Sequence, residues 1–156
     1  MAGRETPATR AAKAAGITYA LHEYDHDPRA ESYAGEAAEA LGLDPRRVFK
    51  TLVVALGDEL AVAIVPAVDQ LDLKAVGKRA AMADTGRAEK VTGYVAGGIS
   101  PLGQRKRLPT FLDDSASRFD TIFVSAGRRG LEIELAPDDL ATLTDADVRP
   151  LARVAS

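Results

Sequence analysis

Val48-Phe49-Lys50-Thr51-Leu52-Val53-Val54-Ala55-Leu56 reads as a β-strand with one charge in its middle. Alternate side chains on a strand share a face, so Lys50 stands with Val48, Leu52 and Val54, while Phe49, Thr51, Val53 and Ala55 look the other way. Both faces are largely apolar, the pattern of a central strand covered on two sides. An ammonium placed there must reach water, a carboxylate or a bound anion. The residues alone leave two readings open: Lys50 lies near a strand end and snorkels outward, or it is offered to a ligand. Gly57-Asp58 then makes a two-residue hairpin turn, so Glu59 to Val65 returns antiparallel until Pro66 stops it.

Before this hairpin, Thr6-Pro7-Ala8 and an alanine-rich run to Ala15 followed by Gly16 place a cap, a proline at the first helical position and a glycine past the end. That predicts a first helix. Ile17 to Tyr24 alternates as a strand and Asp25-His26-Asp27-Pro28 ends it; Ser32 can cap a helix running through Ala37, Ala40 and Leu41 to Gly42. Asp44-Pro45 begins a short turn into the Lys50 strand. After the hairpin, Leu73, Val76 and Ala80 are at helical spacing within Asp69 to Ala80, and Asp84 or Thr85 starts a further helix ending near Gly93. Leu108 to Leu112 and Thr121 to Ala126 read as strands, Gly127-Arg128-Arg129-Gly130 as a turn, and Leu131 to Leu135 as the return strand of a second hairpin. Pro137-Asp138-Asp139 opens a last helix.

The chain has 156 residues, 46% of them hydrophobic and 28% charged, which predicts one globular domain over 1–156. With no cysteine there is no disulfide framework, no Cys-ligated zinc or iron–sulfur cluster and no cysteine nucleophile from the protein. His22 and His26 are the only histidines, and four residues apart on a strand they stand about 13 Å from each other with no third ligand in sight. Neither a metal nor another cofactor is expected. No run reaches transmembrane length and the start does not resemble a signal peptide, so the expectation is a cytoplasmic protein without a membrane partner. A net charge of −3 excludes an indiscriminate polycation, although Arg46-Arg47, Lys78-Arg79, Arg105-Lys106-Arg107 and Arg128-Arg129 are locally basic. Each of these clusters can also be an ordinary solvated turn.

The second organising element is Tyr94-Val95-Ala96-Gly97-Gly98-Ile99-Ser100-Pro101-Leu102-Gly103-Gln104-Arg105-Lys106-Arg107. Three glycines among small residues let backbone N–H groups approach a ligand, and the basic run behind them suits phosphate. It is neither a P-loop nor a dinucleotide fingerprint, and a plain surface loop with a basic tail fits the same residues. Tyr94 and Phe123 can stack on a base or belong to the core.

Val48-Phe49-Lys50-Thr51-Leu52, Gln70-Leu71-Asp72-Leu73-Lys74, Thr92-Gly93-Tyr94 leading into Gly97 to Gly103, and Val124-Ser125-Ala126-Gly127-Arg128-Arg129-Gly130-Leu131-Glu132-Ile133 together resemble the YbaK-type Cys-tRNA(Pro) deacylases, of the prolyl-tRNA synthetase editing-domain superfamily. The resemblance is collinear, covers nearly the whole chain and includes Tyr24 to Pro28. It implies a single α/β domain with a mixed, mostly antiparallel sheet surrounded by helices. It further implies a free-standing editing enzyme that hydrolyses the ester of mischarged Cys-tRNA(Pro). By position Lys50 matches the family's essential lysine, expected to hold the phosphate and the substrate end. Tyr24, Tyr33 and Thr51 fall where the family lines its pocket, Tyr33 at a place more often occupied by phenylalanine. Gly97, Gly98, Ile99, Ser100 and Pro101 match its glycine-rich loop, Ser125, Ala126 and Gly127 a second loop, and Glu132 stands where some relatives carry aspartate. Arg105, Lys106, Arg107 and Arg128 become the expected contacts to the tRNA(Pro) acceptor end, with prolyl-tRNA synthetase as the partner that selects the tRNA.

No Cys is present, neither His sits near glycine-rich sequence and no Ser-His-Asp set can be argued. That agrees with the family's mechanism of substrate assistance, in which the thiol of the bound cysteine attacks its own ester. Two alternatives remain beside it: an Ala-tRNA(Pro) deacylase of the same superfamily using water, and a non-catalytic module that binds tRNA or the synthetase.

Overall fold

The structure is a computed structural model describing residues 4–27 and 33–153, the side chain of Tyr33 excepted. Pro28 and the proposed cap Ser32 lie outside the described residues. Helix α1 (Pro7–Ala15) starts at Thr6, whose hydroxyl accepts from Thr9 N, and stops at the left-handed Gly16. Strand β1 (Tyr19–Glu23) follows, then α2 (Tyr33–Leu41) and a short 3-10 turn (Pro45–Arg47). Strands β2 (Phe49–Leu56) and β3 (Glu59–Pro66) pair as an antiparallel hairpin from Phe49↔Pro66 to Leu56↔Glu59.

The expected helix over Asp69 to Ala80 is largely replaced. Only α3 (Leu73–Val76) is helical, between β4 (Gln70–Leu71) and β5 (Ala80–Met82). Distant partners override the local period: β4 pairs with β10 (Ala152–Arg153), and β5 with the end of β2. Helix α4 (Thr85–Thr92) is capped by Asp84, and β6 (Thr110–Asp113), β7 (Ile122–Arg128), β8 (Leu131–Leu135), α5 (Pro137–Thr144) and β9 (Asp147–Arg149) complete the chain. The β7–β8 turn is tighter than expected, since β7 runs on to Arg128 through a bulge between Ser125 and Arg128.

Two sheets carry the domain. One is β1-β8-β7, wholly antiparallel; the other is β5-β2-β3-β6-β9, in which only β3–β6 and β6–β9 are parallel. The main core lies between them, with Ile122, Val124, Ile133 and Leu135 from the first sheet against Phe49, Val53, Val62 and Ile64 from the second. Ala8 and Ala12 of α1 and Leu140 of α5 close its sides. The opposite face of the larger sheet, with Val54, Ala61, Ala63 and Val65, packs on Val76 and Leu151. Asp113 ties the C-terminal segment down, its Oδ1 accepting from Leu151 N at 2.8 Å and Ala152 N at 2.9 Å. Burial alone would raise its pKa, but these bonds and those from Ser115 hold it below the usual carboxylate value. Among the described residues no helix is long and apolar enough to cross a membrane.

The arrangement leaves one gap. Strand β5 pairs only with Val54, Ala55 and Leu56 of β2, and Ala83 N donates to Val53 O at 3.1 Å just beyond it. On the same side Val48 bridges Phe123 of β7. Between these two attachments the edge of β2 from Phe49 to Leu52 has no strand beside it among the described residues. Because Val53 O points toward that side, the backbone groups of Thr51 point there too.

Candidate active site

A cleft of about 460 Å³ fills this gap. It lies within the roughly 300–1,000 Å³ range of small-molecule sites. Its floor is Phe49, Lys50, Thr51, Leu52 and Val53 of β2. Tyr24 after β1, Ala34 of α2, Ser125 of β7 and Glu132 of β8 form one side, and Met82, Ala83, Thr85 and Ala88 with Ala96, Gly97 and Ile99 form the other. Lys50 and Thr51 point to opposite faces of their strand, yet both border the cleft because it follows the strand's edge. The strand alternation places them apart; the missing neighbour strand brings them together.

Three polar groups in this cleft, on Lys50, Thr51 and Glu132, lack the partners they would need in an ordinary core. Among the described residues no carboxylate lies within 4.0 Å of the Lys50 ammonium. Burial pushes its pKa down, with Asp69 opposing. Thr51 Oγ1 is a buried side-chain oxygen without a hydrogen-bond partner among the described residues. Glu132 is 5% exposed, and burial pushes its pKa up to about 8, so the carboxyl is neutral and can donate at pH 7. Burial first, and the Glu132 carboxyl second, push the Tyr24 phenol up to about 12, keeping it a neutral donor. The unpartnered groups of Lys50, Thr51 and Glu132 in one concavity are the physical mark of a ligand site.

The glycine-rich loop is held by contacts with no local sequence signal. Ala96 N donates to Glu89 Oε2 at 2.7 Å, and Ala96 O accepts from Arg129 Nε at 2.8 Å. Gly98 lies so close to the backbone of Arg128 and Arg129 that a Cβ there would come within 2.9 Å of Arg128 Cα. The β7–β8 turn is therefore seated on the loop, and the buried Tyr94 fastens the loop's far end by donating from its hydroxyl to Leu102 O at 2.6 Å. Helical periodicity shows that Glu89 sits on α4 but not that it faces this loop.

The expected site residues divide accordingly. Tyr24, Lys50, Thr51, Gly97, Ile99, Ser125 and Glu132 meet in the cleft; Tyr33 contributes only backbone to the described structure. Gly98, Ser100, Pro101, Ala126 and Gly127 do not line it. Ser100 is fully buried, its hydroxyl accepting from Leu102 N. Pro101 borders a separate, smaller cavity beside α1, together with Arg107. Ala126 O accepts from Thr6 Oγ1, and Gly127 N donates to Ser125 Oγ. These residues support the wall from behind. Tyr94 and Phe123 are core residues, 5% and 2% exposed, and neither presents a ring for base stacking. Neither histidine borders the cleft: His22 Nε2 is 2.9 Å from Glu134 Oε1, and His26 Nδ1 is 2.8 Å from Glu36 Oε1. Arg128 lies 3.5 Å from Glu23, and its guanidinium also donates to Arg129 O.

The model of the aminoacyl-tRNA editing domain family matches residues 27–143, which contain the floor, the loop and both hairpins just described. The chain belongs to that family. The editing domain is 41% identical over 119 residues to EbsC of Enterococcus faecalis, named as a candidate Cys-tRNA(Pro)/Cys-tRNA(Cys) deacylase, with 72% of each chain covered. It is 31% identical over 118 residues to the uncharacterised protein YwhH of Bacillus subtilis, covering 72% of this chain and 75% of that one. Among solved structures, a candidate trans-editing enzyme for prolyl tRNA synthetase superposes with a TM-score of 0.82 at 25% identity, over 96% of this chain and 98% of the other. The editing domain's α/β architecture, expected from the motifs, is that of this structure.

Proposed function

We propose that the protein is a trans-editing deacylase that removes cysteine from mischarged tRNA(Pro), with the substrate's own thiol as the attacking group. The observation that carries this reading is the chemistry of the cleft: a lysine without a carboxylate partner, neutral hydrogen-bond donors, and no histidine or cysteine at the wall. Ser125 is the one serine there, and its Oγ accepts from Gly127 N with no imidazole beside it. A wall of this kind positions and polarises an ester but does not supply a basic nucleophile.

In this reading the cysteinyl sulfur, as thiolate, forms a bond to the ester carbonyl carbon and the bond from that carbon to the ribose oxygen breaks. The departing ribose oxygen takes up a proton, and the cyclic thioester released is then hydrolysed by water. Lys50 holds the negatively charged 3′ end of the tRNA, while backbone N–H groups at the open β2 edge and the Gly97 loop face the developing oxyanion. Tyr24, Thr51 and the protonated Glu132 hold the aminoacyl group. Prolyl-tRNA synthetase is the partner that selects the tRNA, in keeping with the overall net charge of −3.

Single-turnover hydrolysis of Cys-, Ser- and Ala-tRNA(Pro) tests the reading. Cys-tRNA(Pro) should be cleared fast and Ser-tRNA(Pro) spared. Equal hydrolysis of the seryl ester excludes thiol attack, preference for Ala-tRNA(Pro) makes the enzyme a water-using deacylase, and turnover of none leaves a binding module.

A further inference from the structure

Six arginines of this protein are paired with acids, while several other cations, Lys74, Lys78 and Arg79 among them, have no carboxylate within 4.0 Å among the described residues. Arg4, Arg10, Arg46, Arg47, Arg128 and Arg149 each lie within 4.0 Å of a carboxylate, at Glu23, Glu5, Asp44, Glu134, Glu23 and Asp147 respectively. On the outer side of α4 the pattern is different. Arg87 and Lys90 are one turn apart and exposed. The irregular segment after the glycine loop runs alongside the same helix, since Arg105 N donates to Thr92 O at 2.9 Å and Lys106 N to Val91 O at 3.2 Å. Arg105 Nη1 also donates to Lys90 O at 3.2 Å, and Arg87 Nη2 donates to Asp58 O. These acceptors are all carbonyls, and among the described residues none of the four cations has a carboxylate within 4.0 Å.

The acids in this part of the chain are engaged elsewhere. Asp84 caps α4 through Arg87 N at 3.0 Å, and Glu89 is turned to Ala96 N. The basic run splits here as well: Arg105 and Lys106 join α4, whereas Arg107 borders the small cavity beside α1 and α5. The side of α4 that carries Thr85 and Ala88 lines the cleft. One helix, about 10 Å across, thus separates the unpaired cations from the reacting centre.

We infer that Arg87, Lys90, Arg105 and Lys106 form a docking track for the phosphate backbone of a duplex RNA stem, whose unpaired 3′ end crosses α4 into the cleft. The RNA's identity as an aminoacyl-tRNA rests on the function proposed above; the track itself rests on charge and placement. Exposed cations without carboxylate partners are free to displace counterions from phosphates, which is the main source of affinity for nucleic acid. The other basic groove, formed by Arg4, Arg10, Lys13 and Arg128 with Tyr19 and Glu23, is a weaker candidate. Its arginines are already paired with Glu5 and Glu23, and it lies against β1 on the face of the smaller sheet turned away from Glu132 and Ser125.

The test is fluorescence anisotropy of labelled, uncharged tRNA with the full chain, from low to physiological salt, beside single-turnover deacylation. Replacing all four residues by glutamine should weaken RNA binding at least tenfold at low salt. It should also flatten the slope of log affinity against log salt by up to about 0.9 for each phosphate no longer neutralised. In deacylation the half-saturating concentration should rise with the rate at saturation kept. All four side chains are exposed, and circular dichroism checks that the variant is folded. As comparison, Arg4→Gln with Arg10→Gln should leave binding within twofold. Unchanged RNA affinity in the α4 variant, greater loss in the comparison variant, or no affinity of the unaltered protein for tRNA at low salt each overturns the track. Failure to hydrolyse any aminoacyl ester, with RNA binding still weakened in the α4 variant, would instead overturn the proposed chemistry and leave the track standing.

Discussion

Glu132 and Glu134 stand two residues apart on β8 and point to the same face of the same sheet, yet their surroundings drive them in opposite directions. Glu134 receives a hydrogen bond from Thr121 Oγ1 at 2.5 Å, lies 2.9 Å from His22 Nε2 and is 3.6 Å from Arg47 Nη2. The Thr121 bond foremost, with His22 behind it, holds its carboxyl below the usual carboxylate value against a smaller opposing effect of burial. Arg47 also donates to Thr121 O and stacks 5.0 Å over the Phe123 ring, so every member of this cluster is held by the chain itself. Glu132 opens on the cleft, and burial pushes it up to about 8. The difference separates two uses of polarity: groups the fold satisfies serve the fold, and groups it leaves unsatisfied await a ligand.

Lys50→Met gives the largest expected effect, because it removes the cleft's charge without taking a hydrogen bond or a salt bridge from any described residue. Single-turnover deacylation should fall by about 10²–10³-fold, the usual loss for one preorganised charge-stabilising group. The melting temperature should hold or rise, since a desolvated ammonium is relieved; a clear loss of stability would mean that Lys50 belongs with the structural population.

Glu132→Gln probes stability. The folded pKa is raised from 4.5 to about 8, so the unfolded chain releases its proton first and the native state loses stability as pH climbs through that window. Relative to the unaltered protein, the variant should show no advantage at pH 4. Its advantage should then grow by up to about 1.4 kcal/mol per pH unit and level off above pH 8. Urea melts across that range decide it, and a flat difference places Glu132 in a solvated setting.

Thr121→Val asks the opposite question of the outer cluster. Leaving Glu134 without its closest donor should lower stability by about 1–3 kcal/mol and leave the deacylation rate within twofold. The stabilisation of Glu134 is present above its unfolded pKa and lost as pH falls through its folded one, so this penalty should shrink in acid. A deacylation rate that drops with stability unchanged would reverse the assignment of the two glutamates.

Glu89→Ala has the smallest expected effect. It frees Ala96 N while Arg129 still holds Ala96 O, so the loop loosens without coming away. A several-fold fall in kcat with KM nearly constant is expected, on the scale of one hydrogen bond of about 1 kcal/mol. Glu89→Gln, whose amide oxygen can still accept, should restore the rate. If it does not, the carboxylate's charge rather than its hydrogen bond holds the loop.

The candidate site was legible in the sequence where chemistry contradicts setting. Lys50 stands out as a charge in an apolar strand, and the motifs around Ser125, Glu132 and Gly97 name three more parts of the wall. Ser100, Ala126 and Gly127 belong to the same motifs but serve from behind, because whether a motif residue faces a cavity depends on which element covers it. Met82, Ala83, Thr85 and Ala88 carry no chemical signal at all and enter the wall only because β5 stops where α4 begins. The arginines divide only partly in this way: Arg46 and Arg149 pair with acids two residues away, whereas Arg4, Arg47 and Arg128 pair with Glu23 and Glu134, far along the chain.

Signals that act within a few residues were complete in the sequence itself. The Thr6 cap with Pro7 and Gly16, the Gly57-Asp58 turn, the alternation of Leu131 to Leu135 and Pro137 at the start of α5 all behave as their local chemistry requires. The tertiary structure alone decided that Gln70–Leu71 pairs with Ala152–Arg153, that Ala80–Met82 is a strand rather than the end of a helix, and that β9 joins the larger sheet. Strand pairing takes its energy from neighbours far along the chain, so short strands leave little trace in their own residues. The cleft follows from the same cause: it lies at the part of β2 that has no neighbouring strand among the described residues, and only the assembled sheets show where that edge is left open.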